Sequence, residues 1–346
     1  RLVSDILALS EGEVEEEYEA ILSDFSERHW QTESVFDRRF AQVAHSMTLP
    51  DGLSVARQRL IGAYFCHEYS YAAAALMNPS VVPHPDQTGL SGDAVRFVMS
   101  MRAVGEGHIS SIAFREGIVG GDGAFELWPQ PKVTTSATRP LDVACPEEAV
   151  CITRHPESTI SGTVIFPITE QQRGGLEDLR LVHFDHGGGD FEWIGTYTAY
   201  SGTDIRSELL RTRDFHDFTL GPIHGRAGRN KGMALFPKKL GDSYYMLGRQ
   251  DGKNLYLLSS DRLDVWDDDG VLLLEPKFPW EFIQLGNCGS PILTDAGWLV
   301  LTHGVGAMRK YSIGAVLLDR DMPARVLARS TRPILWAKDS DRDGYV

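Results

Sequence analysis

The sequence predicts an all-β fold preceded by an α-helical segment. Three observations predict it. Apolar residues recur at helical spacing near the amino terminus, at Val14, Tyr18, Leu22 and Phe25. From Asn78 onward the chain breaks into short β-type runs bounded by Gly, Asp, Asn or Pro. Those runs return roughly every ten to twelve residues, a spacing that suits a sandwich, a barrel or a propeller. Long strand–helix alternation is missing, which argues against a parallel doubly wound sheet.

Residues 1–77 are expected to form a helical extension and residues 78–346 the β domain. Ser10 and Glu13 have the spacing of a capping box that starts the first helix. Glu15, Glu16, Glu17 and Glu19 follow early in it, where the helix dipole favours acids. A second helix is expected from Ser34 to Met47. Pro50 and Asp51 end that segment and start a third, running to about Leu76. In the β region the expected strands include Val95–Met101, Ile109–Phe114, Gly162–Phe166, Leu179–Phe184, Trp298–Thr302 and Tyr311–Leu318. Met233–Pro237, Ser243–Gly248 and Asn254–Ser259 read as three successive strands of one small antiparallel sheet. Radial repetition of such sheets would protect their edges.

The composition is that of an ordinary globular protein: 346 residues, 42% hydrophobic and 24% charged. A net charge of −14 argues against a nucleic-acid or anionic-membrane surface, which needs clustered Lys and Arg. Cys66, Cys145, Cys151 and Cys288 form no Cys-x-x-Cys pair, so free thiols in a reducing compartment are expected. No apolar run is long enough to span a bilayer. His67-Glu68 lacks the second histidine of a zincin, so no metal is expected.

Against this acidic background, several glycine-flanked positions collect cations. Gly174-Gly175-Leu176-Glu177-Asp178-Leu179-Arg180 puts two acids and an arginine behind a glycine pair. Strand alternation would place Asp178 and Arg180 on one face and Glu177 on the other. An ordinary ion pair is the commoner reading of such a group. The run from Gly221 to Gly232 holds His224, Arg226, Arg229 and Lys231 among four glycines. Small residues let a backbone approach an anion, and Arg and Lys neutralise it. The loop is not a Walker motif, and taken alone it reads as a polar surface loop. His303 follows an apolar strand, with Arg309 and Tyr311 just beyond. A further polar group contains Asn78, Arg96, Arg102, Glu106 and His108.

Taken in order, these motifs resemble glycoside hydrolase family 130. Glu177-Asp178-Leu179-Arg180 is similar to its Glu-Asp-Pro-Arg signature. Thr196-Tyr197-Thr198-Ala199-Tyr200, Asn230-Lys231 with Leu235-Phe236-Pro237, Gly297-Trp298 leading to His303-Gly304-Val305, and Tyr311 to Asp319 also match. The resemblance covers roughly residues 75–346. It implies a five-bladed β-propeller that acts on β-mannosides, most members being inverting phosphorylases and some hydrolases. It places the single catalytic acid on Asp178, whose proton would reach the bridging oxygen through a sugar hydroxyl. Phosphate would attack the anomeric carbon from the opposite face and give α-mannose 1-phosphate.

An inverting hydrolase needs a second carboxylate to activate water, whereas phosphate is already an anion and needs cations that hold it in line. Arg229, Lys231, His303 and Tyr311 are therefore the expected phosphate ligands. Arg102 and Arg180 complete that set or touch substrate, and Asn78, Tyr197 and Arg249 are expected sugar contacts. No cofactor is implied beyond phosphate as co-substrate. The partners implied are a β-mannosyl oligosaccharide and phosphate, with no nucleic acid and no membrane. The helical extension would pack on the propeller or on another copy in a homo-oligomer. Phosphorolysis draws on intracellular phosphate, so the cytoplasm is the expected setting. An inverting β-mannosidase and a non-catalytic carbohydrate-binding propeller are the two alternatives. Leu179 departs from the signature proline, and the helical extension is longer than in short members of the family.

Overall fold

The computed structural model describes residues 1–27, 29, 31–67, 73–140, 143–338 and 341. The chain divides into two compact units, Arg1–Tyr71 and Ala72–Val346.

Among the described residues the first unit holds four helices: α1 (Leu2–Leu7), α2 (Glu11–Ser26), α3 (Thr32–Ser46) and α4 (Val55–Tyr64). The Ser10/Glu13 capping box forms as expected and starts α2. Ser54, rather than Asp51, caps α4, its hydroxyl accepting from the Arg57 amide. The Arg57 side chain is buried, and its guanidinium donates to the carbonyls of Ile6 and Leu9 and to the Glu11 carboxylate. That satisfies carbonyls at the end of α1 and pairs a charge that burial would otherwise penalise. Val3, Ile6, Val14, Val43, Leu60 and Ile61 form this unit's core.

The expected third helix is shorter than the sequence suggests. It ends at Tyr64, and Ala75 and Leu76 already belong to a strand. Pairing of that strand with Ala103 and Val104 overrides the helix propensity of the alanine run. Residues 68–72 of the expected helix, including Glu68, lie outside the described residues.

The second unit is mostly β. Its largest sheet has eleven strands. The path runs through β1 (Ala75–Pro83), β2 (Val95–Val104) and β3 (Ser110–Val119) to β4 (Gly175–Gly187) and β5 (Asp190–Tyr200). It continues through Ile205–Thr212 and Asp217–Pro222 to Val150–Thr153. A four-stranded sheet follows, containing the three strands expected between Met233 and Ser259 plus Val271–Leu274. The last sheet is built on β6 (Gln284–Asn287), β7 (Gly297–Val305) and β8 (Tyr311–Leu318). Among the described residues, hydrogen bonding thus groups the strands into three sheets. The link from β3 to β4 is one parallel pair, Ser110 with Gly175.

Three apolar clusters fill this unit, one centred on Phe114, Phe215 and Phe218, one on Trp266 and Phe184, and one on Trp298 and Phe236. Trp298 is fully buried, stacks edge-on against Phe236 at 5.1 Å and donates its indole N–H to the Arg320 carbonyl. Truncating such a side chain to alanine costs about 3–5 kcal/mol. Among the described residues no helix is long and apolar enough to cross a membrane.

Two cysteines correct the expectation of free thiols. Cys145 and Cys151 are disulfide-bonded, their Cα atoms 5.7 Å apart, while Cys66 and Cys288 are free. A separation of six residues, too wide for a Cys-x-x-Cys signal, hid the pair in the sequence.

Candidate active site

Asp178 owes its position to a bulge. In the β4–β5 ladder, Glu177 pairs with Thr198 and Arg180 with Thr196, so one residue of β4 is extra. The β1–β2 ladder repeats this device: Met77 pairs with Arg102 and Ser80 with Ser100. The first residue of each bulge is left-handed, Asn78 at φ 51° and Asp178 at φ 55°. Asn and Asp tolerate this conformation better than other non-glycine residues. The two bulges face each other. The Asn78 amide donates to Asp178 Oδ1, and Ser80 Oγ accepts from the Leu181 amide at 2.9 Å.

This geometry corrects the expected alternation. Glu177 and Asp178 do not point to opposite faces, because both meet one guanidinium. Arg102 donates to Glu177 Oε1 at 2.7 Å and to Asp178 Oδ1 at 3.3 Å, while its Nε donates to Ser110 Oγ at 2.8 Å. The extra residue at 178 cancels the period-2 pattern. Asp178 Oδ1 therefore has two donors, and among the described residues Oδ2 has no protein hydrogen bond.

Beyond Asp178 lies a cationic half. Arg180 donates to the backbone carbonyls of Met233 and Asn287, each at 3.4 Å. Arg249 lies beside it, and each guanidinium feels the charge of Asp178. Burial pulls both below the ordinary arginine value, and the like charge of Arg180 adds to this for Arg249. His303 Nδ1 lies 3.1 Å from the Asn287 carbonyl. A carbonyl only accepts, so Nδ1 carries the proton. Burial, then the charges of Arg180 and Arg249, push the imidazole down to about 4. It is therefore neutral near pH 7, with Nε2 bare. The Tyr311 ring lies 6.1 Å from that of His303, and its hydroxyl accepts from Arg309 at 3.1 Å.

Two glycines make room for this cluster. A Cβ at Gly232 would sit 3.0 Å from Arg249 Nε and 3.2 Å from Arg180 Nη1. A Cβ at Gly286 would sit 2.6 Å from His303 Cε1 and 3.0 Å from Arg249 Cδ. Sequence reasoning missed the residue that ties these parts together. Asn287 donates its side-chain amide to the Gly232 carbonyl at 2.8 Å, while its own carbonyl meets Arg180 and His303. Its one sequence signal is a polar residue flanked by Gly286 and Gly289 at a strand end.

The structure therefore brings together Asn78, Arg102, Asp178, Arg180, Arg249, His303 and Tyr311. Arg229 and Lys231 stand apart from that network. Both are exposed on the loop that ends at Gly232, and among the described residues neither side chain has a hydrogen bond or ion pair. Other cations of that loop are engaged elsewhere, Arg226 with Asp267 and Asp269, and His224 with Glu148. Tyr197 does not reach the cluster. It is 2% exposed, and its hydroxyl lies in a core network with Gln172 and Glu208. The β5 alternation turns it inward, a choice of face that the sequence left open.

The site also contains a repeat that the sequence conceals. Val104-Gly105 and Val305-Gly306 open hairpin tips of equal length. Gly105 has φ −95°, ψ −162° and Gly306 has φ −97°, ψ −165°. Each donates to the carbonyl four residues on, Ile109 or Lys310, at 2.9 Å. Arg102 pairs with Ile112 in one hairpin and His303 with Ile313 in the other. Arg102 and His303 thus hold equivalent positions, one beside the carboxylates and one beside the guanidinia.

A bulge-mounted carboxyl group facing paired guanidinia, on a mostly β scaffold, has the groups that acid-assisted chemistry beside a bound anion requires. The family model for β-1,4-mannooligosaccharide phosphorylase matches residues 141–341, and the chain belongs to this family, glycoside hydrolase family 130. A 1,2-β-oligomannan phosphorylase of Thermoanaerobacter sp. (strain X514) is 33% identical over 183 residues, covering 51% of this chain and 59% of that protein. A β-1,2-mannobiose phosphorylase of Listeria innocua serovar 6a is 31% identical over 188 residues, covering 52% of this chain and 51% of that one. The chain thus spans little more than half the length of these curated relatives. Among solved structures, a putative glycoside hydrolase from Parabacteroides distasonis matches with a TM-score of 0.53 at 18% identity, covering 77% and 75% of the two chains. A family 130 structure described with glycoside hydrolases that target β-1,2 mannosidic linkages in Candida mannan matches with a TM-score of 0.51 at 19% identity, covering 77% and 72%. These likenesses show the fold.

Proposed function

We propose that this chain is an inverting phosphorylase of β-mannosides that releases α-mannose 1-phosphate, its β unit forming a five-bladed propeller. The observation that carries the proposal is the buried cationic group of Arg180 and Arg249 beside neutral His303, set against Asp178. Asp178 is the general acid. Asn78 and Arg102 occupy Oδ1 as donors, so the proton to be given sits on Oδ2. It passes through a sugar hydroxyl to the bridging oxygen as that bond breaks. A phosphate oxygen held by Arg180 and Arg249 attacks the anomeric carbon from the opposite face. Tyr311 stands beside His303 at the same site.

Glu177 does not supply the second carboxylate of an inverting hydrolase. Arg102 binds it on the same side as Asp178, whereas a water-activating base must stand on the opposite face of the sugar. The names of the curated relatives make β-1,2-linked mannobiose the first substrate to try, with β-1,4-mannobiose beside it. The test is incubation with each disaccharide, with and without phosphate. The expected product is mannose 1-phosphate in the phosphate arm alone. Equal release of free mannose in both arms would establish the hydrolase instead.

A further inference from the structure

Resting on the phosphorolytic reading, we infer that the anion pocket selects a protonated oxyanion, His303 Nε2 accepting a hydrogen bond from a P–OH group. The pocket is built with spare groups of both kinds. Arg249 Nε is a buried donor without a partner, and Asn287 Oδ1 is a buried acceptor without one. The orientation of the Asn287 amide is fixed, because its nitrogen must face the Gly232 carbonyl, which only accepts. His303 is fixed in the same way, its Nδ1–H held by the Asn287 carbonyl, so that Nε2 can only accept. Among the described residues Nε2 has no protein hydrogen bond, and a Cβ at Gly286 would sit 2.8 Å from it. The lack of a side chain there keeps this edge of the ring open.

An anion with acceptor oxygens alone would satisfy the guanidinia and leave His303 Nε2 facing its lone pairs. A phosphate with one proton satisfies the guanidinia and Nε2 together. The guanidinia take its bare oxygens, and Nε2 takes the hydroxyl. Unpaired buried polar groups are what reject a near-isosteric ligand most strongly. The arrangement also keeps the proton on an oxygen turned away from the guanidinia, so the oxygens they hold stay unprotonated and nucleophilic.

The comparison of phosphate with sulfate isolates this effect, since the two share shape and sulfate has no proton near neutral pH. Calorimetric titration of the full chain should show inorganic phosphate binding about tenfold or more tightly than sulfate. Arsenate should side with phosphate and selenate with sulfate. In His303→Leu the phosphate advantage should shrink to about twofold or threefold, a gap too small for a buried hydrogen bond. Equal affinity of phosphate and sulfate in the unmodified chain would overturn the inference and leave phosphorolysis standing. Failure of phosphate to bind would overturn the phosphorolytic reading, and this inference with it.

Discussion

The two hairpin tips of the site, β2–β3 and β7–β8, share a backbone and differ in chemistry. Both open with Val-Gly in nearly the same conformation, and both close with the same amide-to-carbonyl bond. In the first, Arg102 gathers Glu177 and Asp178. In the second, the equivalent position is His303, held neutral among arginines. On the proposed reading, the difference lets one scaffold supply two halves of a reaction. A cation placed among acids would order a proton donor, and a neutral acceptor placed among cations would order an anion. The tips differ in strain as well. The first places Gly107 and His108 in the left-handed region, and the second places Met308 and Arg309 there, two residues with side chains. Non-glycine residues held this way concentrate at functional sites.

Removing the proton donor should have the largest effect. Asp178→Asn should lower kcat by about a thousandfold, within the range of lost general acids, with an unchanged circular dichroism spectrum. Asn is suited to the left-handed bulge, as Asn78 already demonstrates. A variant with near-normal turnover would remove Asp178 from the chemistry.

Breaking the anion half should act on phosphate alone. Arg249→Ala should raise KM for phosphate roughly ten- to a hundredfold, the worth of a charge-assisted hydrogen bond, and leave KM for the mannoside little changed. Gly286→Ala should act in the same direction by pressing on His303 and Arg249. An equal rise in both KM values would mean that the two halves are not separate.

The second tip should also show in stability against pH. His303 has a folded value near 4, below the ordinary 6.5, so the unfolded chain binds the proton more readily. Its contribution is therefore complete above pH 6.5 and is lost as pH falls from there towards 4. The loss amounts to at most about 3 kcal/mol at 1.36 kcal/mol per unit. Denaturant unfolding of His303→Gln should lack that component, and an unchanged pH profile would contradict a neutral buried ring. The smallest effect concerns the strain. Met308→Gly, which copies Gly107, should stabilise the chain by about 1 kcal/mol in the same assay, because glycine adopts this conformation without steric cost. A loss of stability would mean that the Met308 side chain makes contacts that outweigh the strain.

Much of this was legible in the sequence. Short bounded runs gave the β region, and Ser10 with Glu13 gave a helix start that forms as expected. Asp178 stood out as an acid behind a glycine pair, and Arg180 and His303 because basic residues near glycines are unusual in so acidic a chain. Bulges were not legible, since they depend on cross-strand register, and so the faces of Glu177 and Asp178 were misread. Tyr197 was misread for a related reason, since a motif gives a position and not a face. Asn287 acts largely through its backbone carbonyl, which no side-chain pattern records. The hairpin repeat was hidden because its two copies share Val-Gly and Ser-Ile but little else.

The central claim is that acid and anion occupy separate halves of one pocket. A crystal soaked with mannose and phosphate tests it most directly. The account predicts phosphate on Arg180 and Arg249 against His303 Nε2, with the mannose anomeric carbon between it and Asp178. Phosphate bound away from those three side chains, or on the same side of the sugar as Asp178, would contradict it.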